Sequence, residues 1–368
     1  MIDAEYEQSS EYFRRYTRLK SRVDELYIAL EQGEISDTGE LAHKIIETCK
    51  RTIADKKSDK YDLEFPTSTQ ILERIKKRGE GLFTGYKELD DRIRIPIGAI
   101  TIIAGRPSHG KTTMLINLLV NMLTLQKNKS FLFFSYEEEI SKIYCKLIAI
   151  LSGVVISPRM NISQIEYYLK GDNATRHDRP NIEKAKNILN DLIDTKRLIL
   201  IDRHFDVNEL SDIIKGFNEK QDIGTVFIDY IQKIKSYTAK TTRQVELQRI
   251  SEKVLETAIE TRLPVIMGAQ LGRDPMHPDK VRLDNLREAG DIEQDANLVI
   301  GIKNPYIIER NRADKNESGF TNDATDTNLE ISILKNRDGA VGGKTNLLFK
   351  FATLQINDFE KGEDYNPF

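Results

Sequence analysis

The chain has 368 residues, 39% hydrophobic and 31% charged, with 55 basic against 58 acidic side chains and a formal net charge of -3. This length accommodates one large α/β domain with a smaller accessory part, and the charge balance excludes a uniformly basic nucleic-acid coat while leaving room for a local basic channel. No apolar run approaches a bilayer span, the N-terminal MIDAEYEQSSEYF lacks a leader pattern, and Cys49 and Cys145 lack metal spacing, so a cytoplasmic protein with two core thiols is expected.

Residues 1–65 carry helical patterns. Tyr12, Tyr16, Leu19, Val23, Leu26 and Leu30 follow a 4-3-4-3-4 spacing like a coiled-coil seam, and EQGEISDTGE breaks it. Leu41, Ile45, Cys49 and Ile53 form a second stripe. A helical hairpin is expected, either a satellite of the main domain or an oligomerisation module. KKSDKYDLEFPTST reads as linker and STQILERIKKR as a short amphipathic helix, which makes 66–81 a linker helix. The main domain, 82–368, opens with TGYKELDD.

IGAITIIAG reads as a buried strand and TTMLINLLVNMLTLQ as a helix. Between them AGRPSHGKTT places Gly105, Arg106, Pro107, Gly110, Lys111, Thr112 and Thr113 in the register G-x-x-x-x-G-K-T. Glycines let the backbone wrap an anion with its N–H groups inward, and the helix N-terminus adds positive potential. The Lys reaches the β- and γ-phosphates, and the Thr hydroxyl can ligate Mg²⁺. A nucleoside triphosphate site is therefore expected.

KSFLFFSYE reads as the next strand, beside the phosphate-loop strand, with EISKIYCKLIAILSG as its helix. Glu137 at that strand's end could orient the attacking water, whereas Glu138 and Glu139 could be charges that open a helix. The later runs RLILID, TVFIDY, LPVIMGAQ and NLVIGI alternate with helical segments. Such alternation predicts an α/β fold, a mostly parallel central sheet with helices on both faces and ligands at the carboxyl ends of the strands. Asp229, ending TVFID, can hold Mg²⁺ across from Thr112, and Asp202, ending RLILID, is its rival.

Gln270 ends LPVIMGAQ and could contact the γ-phosphate or merely satisfy backbone groups. LGRDPMHPDKVRLDNLREAGD behind it, with Arg273, Lys280, Arg282 and Arg287, suits a polyanion and equally an ordinary exposed loop. NPYIIERNRADKNESGFTNDATDTN reads as a polar loop, and LEISILKNRDGAVGGKTNLLFKF as a terminal hairpin. Its GGKT is no second phosphate loop, because Asp338 stands where the first Gly belongs and a strand follows.

In this order the segments from about Leu82 to Phe351 resemble the motor domain of DnaB-type replicative helicases, a hexameric branch of the RecA-like ATPases. The resemblance rests on TGYKELDD, AGRPSHGKTT, FFSYEEE, FIDYIQKI, RQVELQRISEKVLETAIETRLPVIMGAQLGR, NLREAGDIEQDANLVIGI and LKNRDGAVGGKTNLLF. It implies a RecA-like P-loop ATPase domain that takes ATP and Mg²⁺. Nucleotide contacts would come from Gly110, Lys111, Thr112 and Thr113, Mg²⁺ organisation from Asp229, water activation from Glu137 and phosphate sensing from Gln270. Lys335 and Arg337 match positions that reach the neighbouring subunit's nucleotide. Arg243, Arg287, Glu288 and Gly290 fall where the family's channel loops touch single-stranded DNA, with Arg273 on the basic loop nearby. The implied protein is a ring-forming, hexameric 5′-to-3′ DNA helicase with a helicase loader and a primase as possible partners. Its N-terminal region is shorter than the family's, which suggests a phage, plasmid or other mobile-element version. The alternatives are a filament-forming recombination or repair ATPase of RecA type and a nucleotide-gated assembly module that does not unwind.

Overall fold

The computed structural model describes residues 45, 67–77, 79, 81–154, 165–166, 169, 179–236, 242–272, 281–283, 285–286, 290–308 and 327–359. The chain divides into two units, Met1–Arg78 and Gly79–Phe368. In the first, helix α1 spans Ser68–Lys77, and its Ile71 and Leu72 are exposed. The hairpin expected over 1–65 lies outside the described residues, apart from the helical Ile45.

The second unit is built on a nine-stranded sheet. Its strands are β1 (Ile100–Gly105), β2 (Ser130–Ser135), β3 (Leu198–Ile201), β4 (Ile223–Asp229), β5 (Val265–Gln270), β6 (Leu298–Lys303), β7 (Thr327–Asn336), β8 (Lys344–Lys350) and β9 (Gln355–Asn357). They lie in the order β3-β2-β4-β5-β1-β6-β7-β8-β9. The six strands from β3 to β6 pair in parallel, and β7, β8 and β9 continue antiparallel. The terminal hairpin is thus present, and GGKT leads into β8 rather than a helix. One expectation is corrected: β2 does not lie beside β1. The chain leaves β1, crosses over β5 and β4, and pairs β2 with β4 instead.

Apolar strands buried on both faces need a layer on each side. Helices α3 (Lys111–Leu125), α4 (Ile140–Ser152) and α5 (Arg179–Asp194) cover one face. There Leu115, Leu119, Ile148 and Leu189 pack with Ile103, Phe133, Phe227 and Ile300 of the strands. Helices α6 (Val207–Lys220), α7 (Arg243–Thr261) and α8 (Gly290–Asp295) cover the other. On that side Leu210, Ile250, Val254 and Ile292 meet Ile102, Phe134, Ile228 and Met267. Neighbouring strand residues such as Ile102 and Ile103 therefore enter different cores, as the period of two requires.

The opening motif TGYKELDD is a folding device. The Asp90 carboxylate accepts the backbone N–H groups of Thr84 (2.6 Å) and Gly85 (3.0 Å) and the Thr84 hydroxyl (2.8 Å), closing a tight loop before the short helix α2 (Lys87–Asp90). Gly85 adopts φ +83°, and a Cβ there would lie 2.7 Å from Asn121 Cβ on α3. Asn121 in turn donates to the Thr84 carbonyl at 3.1 Å. The start of the domain is thereby fastened to the helix that carries the phosphate loop.

Candidate nucleotide site

The carboxyl ends of β1, β2, β4, β5 and β6 lie along one rim of the parallel sheet: Gly105 pairs with Gln270 and with Ile302, and Ser135 with Asp229, while the β4–β5 pairing stops at Ile228 and Met267. The phosphate loop leaves that rim after Gly105. Gly110 sits at the N-cap of α3 with φ 91°, in the left-handed region that a side chain disfavours, and its carbonyl accepts the Met114 N–H at 2.8 Å to start the helix. His109, 4% exposed, turns into the protein, where its Nδ1 accepts the Asn304 backbone N–H at 3.0 Å. Burial, reinforced by Arg106, Lys111 and Lys303, holds the His109 pKa down at about 4, so the imidazole is neutral. It ties the loop to the residue that follows β6.

Lys111, 8% exposed, folds its ammonium back onto the Arg106 carbonyl at 3.3 Å. Burial lowers its pKa, against the pull of the Asp229 and Glu137 carboxylates. The Thr112 hydroxyl donates to Asp229 Oδ2 at 2.6 Å. Asp229 is fully buried, and its Oδ1 has no hydrogen-bond partner among the described residues. Burial raises its pKa to about 6, opposed by the Thr112 bond, with Glu137 raising it further and Lys111 and Lys146 lowering it. A buried carboxylate oxygen with no partner, beside a threonine hydroxyl, fits a hard cation that takes oxygen ligands and keeps several waters.

Glu137 is exposed, just past the end of β2. Of its neighbours, Glu138 pairs with Lys146 Nζ at 2.6 Å, and Glu139 is exposed at the N-cap position of α4, where its side chain makes no capping bond. Asp202 follows β3 at the sheet edge, where it is exposed and accepts the Ile140 N–H at 3.2 Å, with β2, β4 and β5 between it and β1. The structure therefore brings Asp229, and not Asp202, to Thr112. Gln270 ends β5 directly beside Gly105.

Lys335 and Arg337 lie elsewhere. Strand β7 runs against β6, so Lys303 at the phosphate-loop rim faces Glu330, whereas Lys335 faces Val299 and the Arg337 N–H donates to the Asn297 carbonyl at 2.9 Å. Four to six strand residues separate them from the rim, on the order of 13–20 Å. Their side chains donate to carbonyls of α8, Lys335 to Glu293 and Gln294 and Arg337 to Gln294. Arg243 opens α7 and bonds Glu246 and the Gln232 carbonyl. Gly290 is the first residue of α8, while Arg273, Arg287 and Glu288 lie outside the described residues.

The model of the DnaB-like helicase C-terminal domain family matches residues 81–358. The chain belongs to this family. A probable plasmid replicative DNA helicase of Chlamydia psittaci is 28% identical over 356 residues, 94% of this chain and 70% of that protein. Among solved structures, a chain described as an ATPase domain superposes with a TM-score of 0.64 at 22% identity, covering 79% of this chain and 97% of that one. A DnaB-like replicative helicase, described together with its interactions with primase, reaches 0.66 at 21% identity over 96% of this chain and 78% of its own. The structures bear out the RecA-like α/β fold. The chain spans 58% to 70% of the length of the plasmid helicases it matches first. No helix among the described residues is long and apolar enough to cross a membrane.

Three features of this DnaB-like rim escape sequence reasoning: the His109–Asn304 bond, the Lys146 partner of Glu138 and the side chain of Gln232 against β5. The first and third join segments 195 and 38 residues apart, and the second spans a turn and a helix, so no local pattern marks them.

Proposed function

We propose that this chain is a ring-forming, cytoplasmic replicative DNA helicase that hydrolyses ATP with Mg²⁺ and moves 5′ to 3′ on single-stranded DNA. The observation that carries the reading is the separation within one subunit of Lys111, Thr112, Asp229 and Glu137 at one rim of the sheet from Lys335 and Arg337 near the other. Two halves of a phosphoryl-transfer apparatus that cannot meet inside one chain meet when subunits join head to tail. Such a joint gives a ring where its rotation closes and a filament where it does not; the closed hexamer is the proposed form.

In this reading the backbone from Gly105 to Thr113, with Arg106 and Pro107 in the loop, cradles the phosphates. Lys111 carries its charge to the β- and γ-oxygens, and its present bond to the Arg106 carbonyl is one that a phosphate can replace. Thr112 and Asp229 would hold Mg²⁺, which when bound neutralises charge on the β- and γ-phosphates. Glu137, exposed where solvent can reach it, orients the attacking water and accepts its proton. Gln270 contacts the γ-phosphate. Lys335 and Arg337 release the α8 carbonyls and stabilise charge on the neighbour's transferring phosphoryl group, so turnover occurs only at a completed interface. Arg243, Arg273, Arg287, Glu288 and the backbone at Gly290 line the channel and touch the DNA backbone, which makes binding tolerant of sequence and sensitive to salt. A primase and a helicase loader are the proposed partners, the former because one solved relative is described with primase.

The test is ATP hydrolysis with and without single-stranded DNA, together with strand displacement from a forked duplex. The expected result is strong DNA stimulation, displacement that requires a 5′ tail, and loss of both on chelation of Mg²⁺. Turnover indifferent to DNA would overturn the helicase reading in favour of an assembly module. Filaments on DNA in place of rings would favour the recombination ATPase.

A further inference from the structure

Gln232 occupies an unusual place for a side chain. The β4–β5 ladder ends at the pair Ile228 and Met267, three residues short of Gln270. On its other side Gln270 is paired with Gly105 of β1, and Leu271 N–H donates to the Gly105 carbonyl at 3.0 Å. The backbone of Gln270 therefore has a strand on one flank only, and the amide of Gln232 fills the other. Gln232 Oε1 accepts the Gln270 N–H at 3.2 Å, and Gln232 Nε2 donates to the Gln270 carbonyl at 3.1 Å. A carboxamide has the donor and acceptor of a peptide group, so it can stand in for one residue of a missing strand.

The main chain of the same residue faces the other way. Gln232 lies in the 3₁₀ turn Ile231–Lys233, three residues past Asp229, and the buried Ile231 and Ile234 anchor that turn in the core. Its carbonyl accepts Arg243 Nη2 at 2.5 Å. Arg243 also pairs with Glu246, whose other oxygen accepts the Ser236 N–H at 3.0 Å. One residue thus touches the backbone of the γ-phosphate candidate through its side chain and a candidate DNA contact through its carbonyl, while its turn continues from the Mg²⁺ carboxylate.

We propose that Gln232 is the positioning residue that couples nucleotide state to DNA contact in this chain, an inference that rests on the function proposed above. A strand partner would hold Gln270 through a continuous ladder, and moving it would disturb the sheet. A side-chain amide makes only two bonds and has free torsions, so it can follow Gln270 or release it without disturbing β4. When Gln270 engages a γ-phosphate, its displacement is carried by Gln232 into the turn and on to Arg243. The reverse path carries DNA binding at Arg243 back to Gln270. Gln232 touches neither ligand.

The test replaces Gln232 by Met, which keeps the length and removes both bonds, and by Glu, which keeps only the acceptor. The full chain is assayed for ATP turnover with and without oligo(dT), with kcat and KM separated, and for thermal unfolding. The expected result for Gln232→Met is a DNA-stimulated kcat lowered on the order of tenfold, within the usual range of coupling between sites. Its basal kcat, its KM for ATP and its Tm remain close to wild type, and Gln232→Glu falls between the two. Stimulated turnover within about twofold of wild type, below that coupling range, would overturn the inference and leave the function intact. So would a parallel fall of basal and stimulated kcat with a lowered Tm, which marks a merely structural role. Absence of DNA stimulation in the wild-type protein would instead remove the helicase reading, and the inference with it.

Discussion

Two adjacent carboxylates at the end of β2 have different surroundings. Glu138 is held by Lys146 at 2.6 Å, whereas Glu137 is exposed and acts electrostatically on both Lys111 and Asp229. Replacing Glu137 by Gln is therefore expected to lower turnover by about 10²- to 10⁴-fold while ATP binding, read by a fluorescent analogue, is retained. Glu138→Gln should leave chemistry within a few fold and instead lower Tm, because it strips Lys146 of its partner. Equal losses in the two variants would remove Glu137 from the base role. His109 offers a second residue-scale prediction. Its pKa is about 6.5 in the unfolded chain and about 4 in the folded one. Between those values the unfolded chain binds a proton that the native protein does not, so this site's stability is full above pH 6.5 and is lost as pH falls towards 4. The difference in urea-unfolding free energy between wild type and His109→Asn should change by up to about 3 kcal/mol across that window and be flat above pH 7. A constant difference from pH 4 to 7 would contradict the buried neutral imidazole.

Helix α3 is buried along nearly its whole length, in keeping with its mostly apolar sequence. Its polar members are the informative ones. Asn117 Nδ2 donates to the Thr113 carbonyl at 2.8 Å and the Leu354 carbonyl at 2.9 Å, and its Oδ1 accepts the Ile356 N–H at 3.0 Å. One side chain fastens the helix that begins at Lys111 to β9, which ends the sheet. Asn117→Leu keeps the volume but leaves the part-buried Leu354 carbonyl and the buried Ile356 N–H without this partner. The expected cost is about 2–3 kcal/mol by chemical denaturation, set chiefly by the buried N–H. A change below about 1 kcal/mol would mean that the turn before β9 finds other partners.

At the scale of the molecule, the antiparallel course of β7 carries Lys335 and Arg337 away from their own phosphate loop. Lys111→Ala and Arg337→Ala should each be inactive alone, for different reasons. Mixed in equal amounts in a ring of head-to-tail subunits, about a quarter of interfaces would join an intact phosphate loop to an intact Arg337. DNA-stimulated ATP turnover is then expected to reappear on mixing and subunit exchange. If no activity returns once exchange is demonstrated, the two residues serve the same subunit's site or no shared site at all.

Local chemistry made much of this protein legible from its sequence. Apolar runs of strand length alternating with helical patterns specify the parallel layers, and G-x-x-x-x-G-K-T needs only its own backbone to form a phosphate loop. The hairpin at the C-terminal end was equally plain, since a Gly-rich turn between two alternating runs closes on itself. The order of strands was not legible: β2 was expected beside β1, but two strands that enter the sheet later, β4 and β5, lie between them. For the same reason sequence left Asp202 and Asp229 as rivals. Both end apolar strands, and only the crossover that places β3 at the edge and β4 towards the centre brings one of them to Thr112. The bonds of His109 to Asn304 and of Gln232 to Gln270 belong wholly to the tertiary structure, because a side chain's partner across the chain is chosen by packing and leaves no trace in residue spacing.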